Sequence, residues 1–215
     1  MIFKYQTRED ALRKLIPDIL YPNPENIVYV QFVHTKSTGL GDYDKLDVLV
    51  PVQDKNGKEY MFGIMSFLNS SAPITAGREI YGQPQKFGQP SFRVERDTVV
   101  GELDYCGVRV ATGTLSYKSK RMDIEEAKRF LSIPHLDLKL IPNVSGSPEI
   151  AQLVEIQHEN VHVQSAYESS ARMELFAHAN APMSDLPVVK MLNGFNIVGD
   201  LELPAGKVVH DFLKE

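Results

Sequence analysis

The chain has 215 residues, 43% of them hydrophobic and 24% charged, which suits one medium domain with a substantial core. Its net charge of −5 argues against a nucleic-acid partner, which needs a basic face, and the one basic cluster (Lys118, Lys120, Arg121) suits a solvated strand end. A single cysteine, Cys106, excludes an intrachain disulfide and any cysteine metal cluster.

Charged residues stand in the first ten positions where a secretory signal would be apolar, and no apolar run approaches the roughly 20 residues that span a bilayer. A cytoplasmic protein without a membrane partner is therefore expected. Neither repeats nor a long linker divide the chain, so residues 1–215 read as one domain.

In chain order, Thr7 is expected to cap a helix over 7–16, with Asp10 at the capping-box position and Pro17 ending it. Residues 27–33 are β-branched and aromatic, as a strand should be. Strands at 48–52 and 59–67 flank Asn56-Gly57, a pair that tolerates the positive φ of a tight hairpin. Strands follow at 91–95, 99–105 and 108–117, the last two joined by a turn at Gly107. Asp123 and Glu126 start a second helix that runs to about Leu131, before Pro134. Further strands are expected at 136–141, 150–156, 161–176 and 197–203, then a closing helix over 205–213. Many strands, short turns and two or three short helices predict a mainly β (α+β) fold, an antiparallel barrel or sandwich.

His158-Glu159-Asn160-Val161-His162 matches the H-E-x-x-H pattern of zinc peptidases, whose chemistry needs both histidines on one helical face. The alternating apolar surroundings predict strand instead, where residues four apart lie roughly 13 Å from each other. No motif calls for a metal or another cofactor.

The most informative stretch is Gly77-Arg78-Glu79-Ile80-Tyr81-Gly82-Gln83-Pro84-Gln85-Lys86-Phe87-Gly88-Gln89-Pro90. With Thr38-Gly39-Leu40-Gly41, Leu138-Lys139-Leu140-Ile141-Pro142-Asn143, Leu175-Phe176-Ala177-His178-Ala179 and Asp185-Leu186-Pro187 in the same order, it resembles the acetoacetate decarboxylase family. The resemblance implies a barrel-like fold around a central pocket, and a lysine, the first after the signature proline, that forms an imine with a keto acid. That lysine is a known case of an amine activated by apolar surroundings or a neighbouring cation. Here its position holds Gln85, whose delocalised amide nitrogen does not attack ketones but can hydrogen-bond a ligand.

Other matched positions differ too. A family glutamate shortly after the Gly-Leu-Gly turn corresponds to Lys45, and a second, across a one-residue gap, to Gln31. The family arginine upstream of the first helix would fall before Met1. Lys86 matches the second lysine of the family pair; alternation along an extended segment predicts that it turns away from the pocket, though its place in the chain keeps it a candidate amine. Lys45 is either a relocated imine-forming residue, a cation for an anionic ligand, or a loop lysine paired with Asp44 or Asp47. Arg78 and Glu79 brace the signature segment or touch substrate, and Met65 lines the pocket or packs in the core.

The expectation is thus a homo-oligomeric lyase, of decarboxylase or aldol/dehydratase type, for a small keto acid or related carbonyl metabolite. A non-catalytic small-molecule-binding homologue is the alternative. Non-covalent enolisation by Asp44, Asp47 or Lys45 is a third possibility.

Overall fold

A computed structural model describes residues 1–214. The first strand, β1 (Ile2–Gln6), lies deep inside a large sheet. It pairs antiparallel with β3 (Ile27–Ser37) on one side and with β15 (Lys190–Glu202) on the other. Phe3 and Tyr5 on β1 are fully buried. Between β1 and β3 come α1 (Glu9–Arg13) and β2 (Tyr21–Pro22). The helix is shorter than expected: its N-cap is Arg8, which offers no side-chain cap, while Thr7 is buried.

The long strands β4 (Gly41–Gln53) and β5 (Glu59–Leu68) extend the sheet antiparallel beyond β3. A helical segment follows, α2 (Ser71–Ala76) running into a π-helical turn at Gly77–Tyr81. Then β6 (Gln85–Phe87) returns to pair parallel with β5. A small antiparallel sheet contains β7 (Gln89–Glu95), β8 (Thr98–Tyr105) and β9 (Val108–Ser116). Its β8–β9 hairpin turns through Cys106 and Gly107, both at positive φ, as that tight turn demands.

After β10 (Lys120–Arg121), the side chain of Asp123 accepts hydrogen bonds from the Glu125 and Glu126 amides and starts α3 (Ile124–Leu131) where the sequence places it. β11 (His135–Pro142) runs parallel to β5, and β12 (Pro148–Ile156) pairs antiparallel with β11. The expected strand over 161–176 is two: β13 (Glu159–Ser169) belongs to the large sheet, and β14 (Ala171–Leu175) to the small one. The chain crosses between sheets at Ser170. This stretch is extended: His158 precedes β13, His162 lies within it, and Asn160 between them has positive φ, so no helix aligns the two rings.

The expected closing helix is replaced by β16 (Lys207–Asp211), antiparallel to β12. The adjacent β-branched Val208 and Val209 lose rotamer freedom in a helix, and Pro204 and Gly206 remove a favourable start. The large sheet therefore ends in two free edges, β10 and β16, and does not close into a barrel. It is also mixed, because β6 and β11 both lie parallel to β5.

The two sheets enclose the main core, in which Phe3, Phe32, Leu46, Leu103 and Leu115 are buried. Gly113 on β9 leaves room for the Phe3 ring: a Cβ there would come within 2.3 Å of Phe3 Cζ. Each such aromatic or aliphatic side chain contributes about 1.5–3 kcal/mol on burial. Among the described residues no helix is long and apolar enough to cross a membrane.

Candidate active site

The edge of β5 changes partner midway. β11 pairs with Met61 and Phe62, and β6 pairs with Ser66 to Leu68. The gap between these partners opens a small cavity. β4 contributes Lys45, Asp47 and Leu49 to its wall, and β5 contributes Gly63, Met65 and Ser66. Gln83 and Pro84 close it from the signature segment, and β11 supplies His135 and Asp137. A register shift between Val48 and Leu49 against β5 accounts for Gly63 and Ser66, three residues apart, facing the same space.

Lys45 and Asp47 are two apart on one strand and so share a face. Lys45 Nζ lies 2.8 Å from Asp47 Oδ2, with the Lys45 side chain 22% exposed. Asp47 also accepts hydrogen bonds from Ser66 Oγ at 2.7 Å and from Gln31 Nε2 at 3.0 Å. Burial alone would raise the Asp47 carboxyl, but the Lys45 ammonium and these donors hold it below the usual carboxylate range. Burial would likewise lower Lys45, yet the Asp47 carboxylate outweighs it and keeps the ammonium above its ordinary value. At rest the pair is ionic.

Asp137 is the opposite case. It is 3% exposed, its Oδ2 has no hydrogen-bond partner among the described residues, and Gly63 leaves the space its other oxygen fills. Burial, and next the charge of Asp47, push its pKa up to about 7. Beside it, burial and the neighbouring His158 lower His135. The two rings stand 4.8 Å apart, and His158 Nδ1 lies 3.0 Å from the Leu131 carbonyl oxygen. The cavity therefore holds one cation, one anion, a neutral imidazole and a carboxyl group that stays protonated toward neutrality.

This has a measurable consequence for stability. The folded state retains the Asp137 proton up to about pH 7, whereas the unfolded chain releases it near the ordinary value of 3.8. Between those values the unfolded state binds fewer protons, so this group's contribution falls as pH rises. Asp137→Asn is expected to stabilise the protein, by an amount that grows from pH 4 and levels off above pH 7 at roughly 2–4 kcal/mol. Denaturant melts of both proteins across that range check it.

The structure sorts the remaining candidates. Gln85 is 4% exposed and turned inward, its Nε2 donating to Gln83 Oε1 at 2.6 Å. Its side chain lies where a Cβ on Gly77 would stand, so the signature glycine makes room for it. Lys86 turns the other way, as alternation along β6 requires: it is exposed and its Nζ donates to the Asn180 carbonyl. That placement takes Lys86 out of the cavity. Arg78 braces β6 by donating to the Gln85 carbonyl oxygen, and Glu79 is exposed. Gln31 reaches the site only through Asp47, whereas Met65 lines it directly. Sequence reasoning passed over Asp137 and His135. The alternation His135-Leu136-Asp137-Leu138-Lys139-Leu140 puts His135 and Asp137 on one face of the strand, but nothing local marks that face as buried.

A wider hollow of about 370 Å³ lies beside His178, Pro182 and Asp185, but it is shallow and open to solvent. It lacks the enclosed, convergent polar groups of the smaller cavity.

The profile of the family described as acetoacetate decarboxylase (ADC) matches residues 1–213. The chain belongs to the acetoacetate decarboxylase family. Acetoacetate decarboxylase 1 of Mesorhizobium japonicum is 41% identical over 214 residues, covering 99% of this chain and 86% of that protein. Acetoacetate decarboxylase of Clostridium botulinum is 39% identical, over 98% of this chain and 86% of its own length. The crystal structure of acetoacetate decarboxylase from Legionella pneumophila superposes with a TM-score of 0.95 at 38% identity, covering 99% of this chain and 84% of that one. The enduracididine biosynthesis enzyme MppR complexed with pyruvate shares the fold, at TM-score 0.85 and 16% identity over 98% of this chain and 88% of that one.

Proposed function

We propose that the chain is a lyase acting on a small β-keto acid or related carbonyl compound, with Lys45 supplying the amine that the family resemblance implies at the position of Gln85. One observation carries this reading. Lys45 is the only lysine among the described residues that line the cavity, and the signature's own lysine, Lys86, faces solvent.

The Lys45–Asp47 pair then acts as nucleophile and base. An ammonium cannot attack a carbonyl. Its proton must first pass to Asp47 Oδ2, 2.8 Å away. Excluding water lowers the advantage of the ionic form over the neutral pair, so an arriving ligand assists that transfer. The neutral amine adds to the ketone, water leaves, and the resulting iminium accepts the electron pair of the departing carboxylate. Gln83 and Gln85 form an amide pair beside the ligand, and Met65 and Leu49 supply apolar contact. The free space at rest is about 20 Å³, room for about one water, so a keto acid enters as Lys45 swings off Asp47.

The competing reading, a small-molecule-binding homologue without catalysis, is favoured by the same closed ion pair. Carbon dioxide release from a panel of β-keto acids separates the two. Turnover by the native protein, with a loss of at least roughly 10³-fold in Lys45→Met, equal to about 4 kcal/mol of barrier, is the expected outcome. Ligand binding without release, or release unaffected by Lys45→Met, would overturn the proposal.

A further inference from the structure

We propose that Asp137 is the proton-transfer acid of this site, delivering a proton to the substrate carbon once carbon dioxide has left. The inference rests on the Lys45 reading and deepens it, since decarboxylation of the imine leaves an enamine whose carbon must be protonated.

Asp137 sits on β11, across the cavity from the Lys45 and Asp47 of β4, and all three line the same small space. It is 3% exposed, and its Oδ2 has no hydrogen-bond partner among the described residues. A buried carboxylate without a counterion is strongly disfavoured, so such a group keeps its proton or finds a cation. The nearby cation is already taken, because Lys45 is bonded to Asp47. Asp137 thus presents a neutral O–H to the cavity.

The charged and polar groups facing Asp137 fit this role. β4 presents Lys45 and Asp47, which oppose one another in their effect on it, and a Gln83 hydrogen bond from the signature segment favours its ionised form, though less than burial opposes it. His135, on its own strand, is held neutral. On the neighbouring strands, β5 offers Gly63 beside it and β12 offers Val154 in register, neither of which titrates. Proton supply to the carbon therefore falls to Asp137, while Asp47 serves the amine.

The step balances. Loss of carbon dioxide moves the C–C electron pair into the iminium, giving a neutral enamine on Lys45. The enamine carbon takes the Asp137 proton, restoring the iminium and leaving Asp137 ionised beside that cation. Water hydrolyses the iminium to release the ketone and the Lys45 amine, and Asp137 recovers a proton from solvent. One proton is consumed overall, and the water released on imine formation is returned.

The test uses acetoacetate for borohydride trapping and acetone in D₂O for methyl hydrogen exchange, which needs the same proton transfer in both directions. The native protein is expected to trap label on Lys45 and to exchange acetone protons. Asp137→Asn is expected to retain trapping within about twofold while exchange falls at least about 100-fold. In the native protein exchange should also rise with pH as Asp137 ionises, a dependence absent from the variant. Exchange by Asp137→Asn at the native rate, or a native profile flat from pH 5 to 8, overturns the assignment while leaving the Lys45 reading intact. Failure of the native protein to trap acetoacetate overturns the Lys45 reading itself, and the role of Asp137 with it.

Discussion

Lys45→Met is expected to destabilise the protein by roughly 3–5 kcal/mol, the cost of leaving one member of a buried ion pair without its partner. Asp47 is 6% exposed and would retain only the Ser66 and Gln31 donors. Without the ammonium its carboxyl is dominated by burial, which raises its folded pKa above the unfolded value. The deficit should therefore be small at low pH and grow as pH rises through that raised pKa. The double variant Lys45→Met/Asp47→Asn removes both charges and is expected to recover most of the loss, yet remain without turnover. Denaturant unfolding at pH 5 and pH 8, beside activity, separates the two effects. A single variant as stable as the native protein at pH 8 would show that the pair is not buried as described.

The second large effect is a transfer of chemistry. Gln85 is inward-facing and bonded to Gln83 at the edge of the cavity. Adding Gln85→Lys to the inactive Lys45→Met protein places an amine in a buried position with amide rather than carboxylate neighbours, which lowers its pKa toward the neutral nucleophile. Decarboxylation of acetoacetate is expected to return by at least about 10-fold over Lys45→Met alone, with borohydride label now at position 85. Peptide mass spectrometry locates it. A double variant that folds and binds but never labels would mean that the scaffold no longer supports an amine at that position.

Much of this was legible from the chain, because the relevant signals are local. Asp123 with Glu126 marks the start of α3, Gly107 marks a turn, and the spaced motifs mark the family. Alternation along the signature segment separates inward Gln85 from outward Lys86. What escaped depends on partners far away in sequence. β1 lies between β3 and β15, so its strand character is enforced by neighbours roughly 25 and 190 residues along the chain. Polar residues Gly41 to Asp47 read as loop, yet pairing with β3 carries β4 back through them and places Lys45 on a rigid strand. Apolar spacing at the end of the chain suits a helix, but pairing with β12 makes it a strand. Asp137 was invisible as a functional group because its meaning comes from Lys45 and Asp47 facing it across the cavity, a juxtaposition no local pattern encodes.

The position of the reacting amine is the decisive feature of this site. Borohydride reduction of the native protein in the presence of acetoacetate, followed by digestion and peptide mass spectrometry, measures this directly. The predicted result is a single reduced adduct on Lys45, blocked by Lys45→Met/Asp47→Asn. An adduct on Lys86, or turnover of the keto acid with no adduct on Lys45, would contradict it.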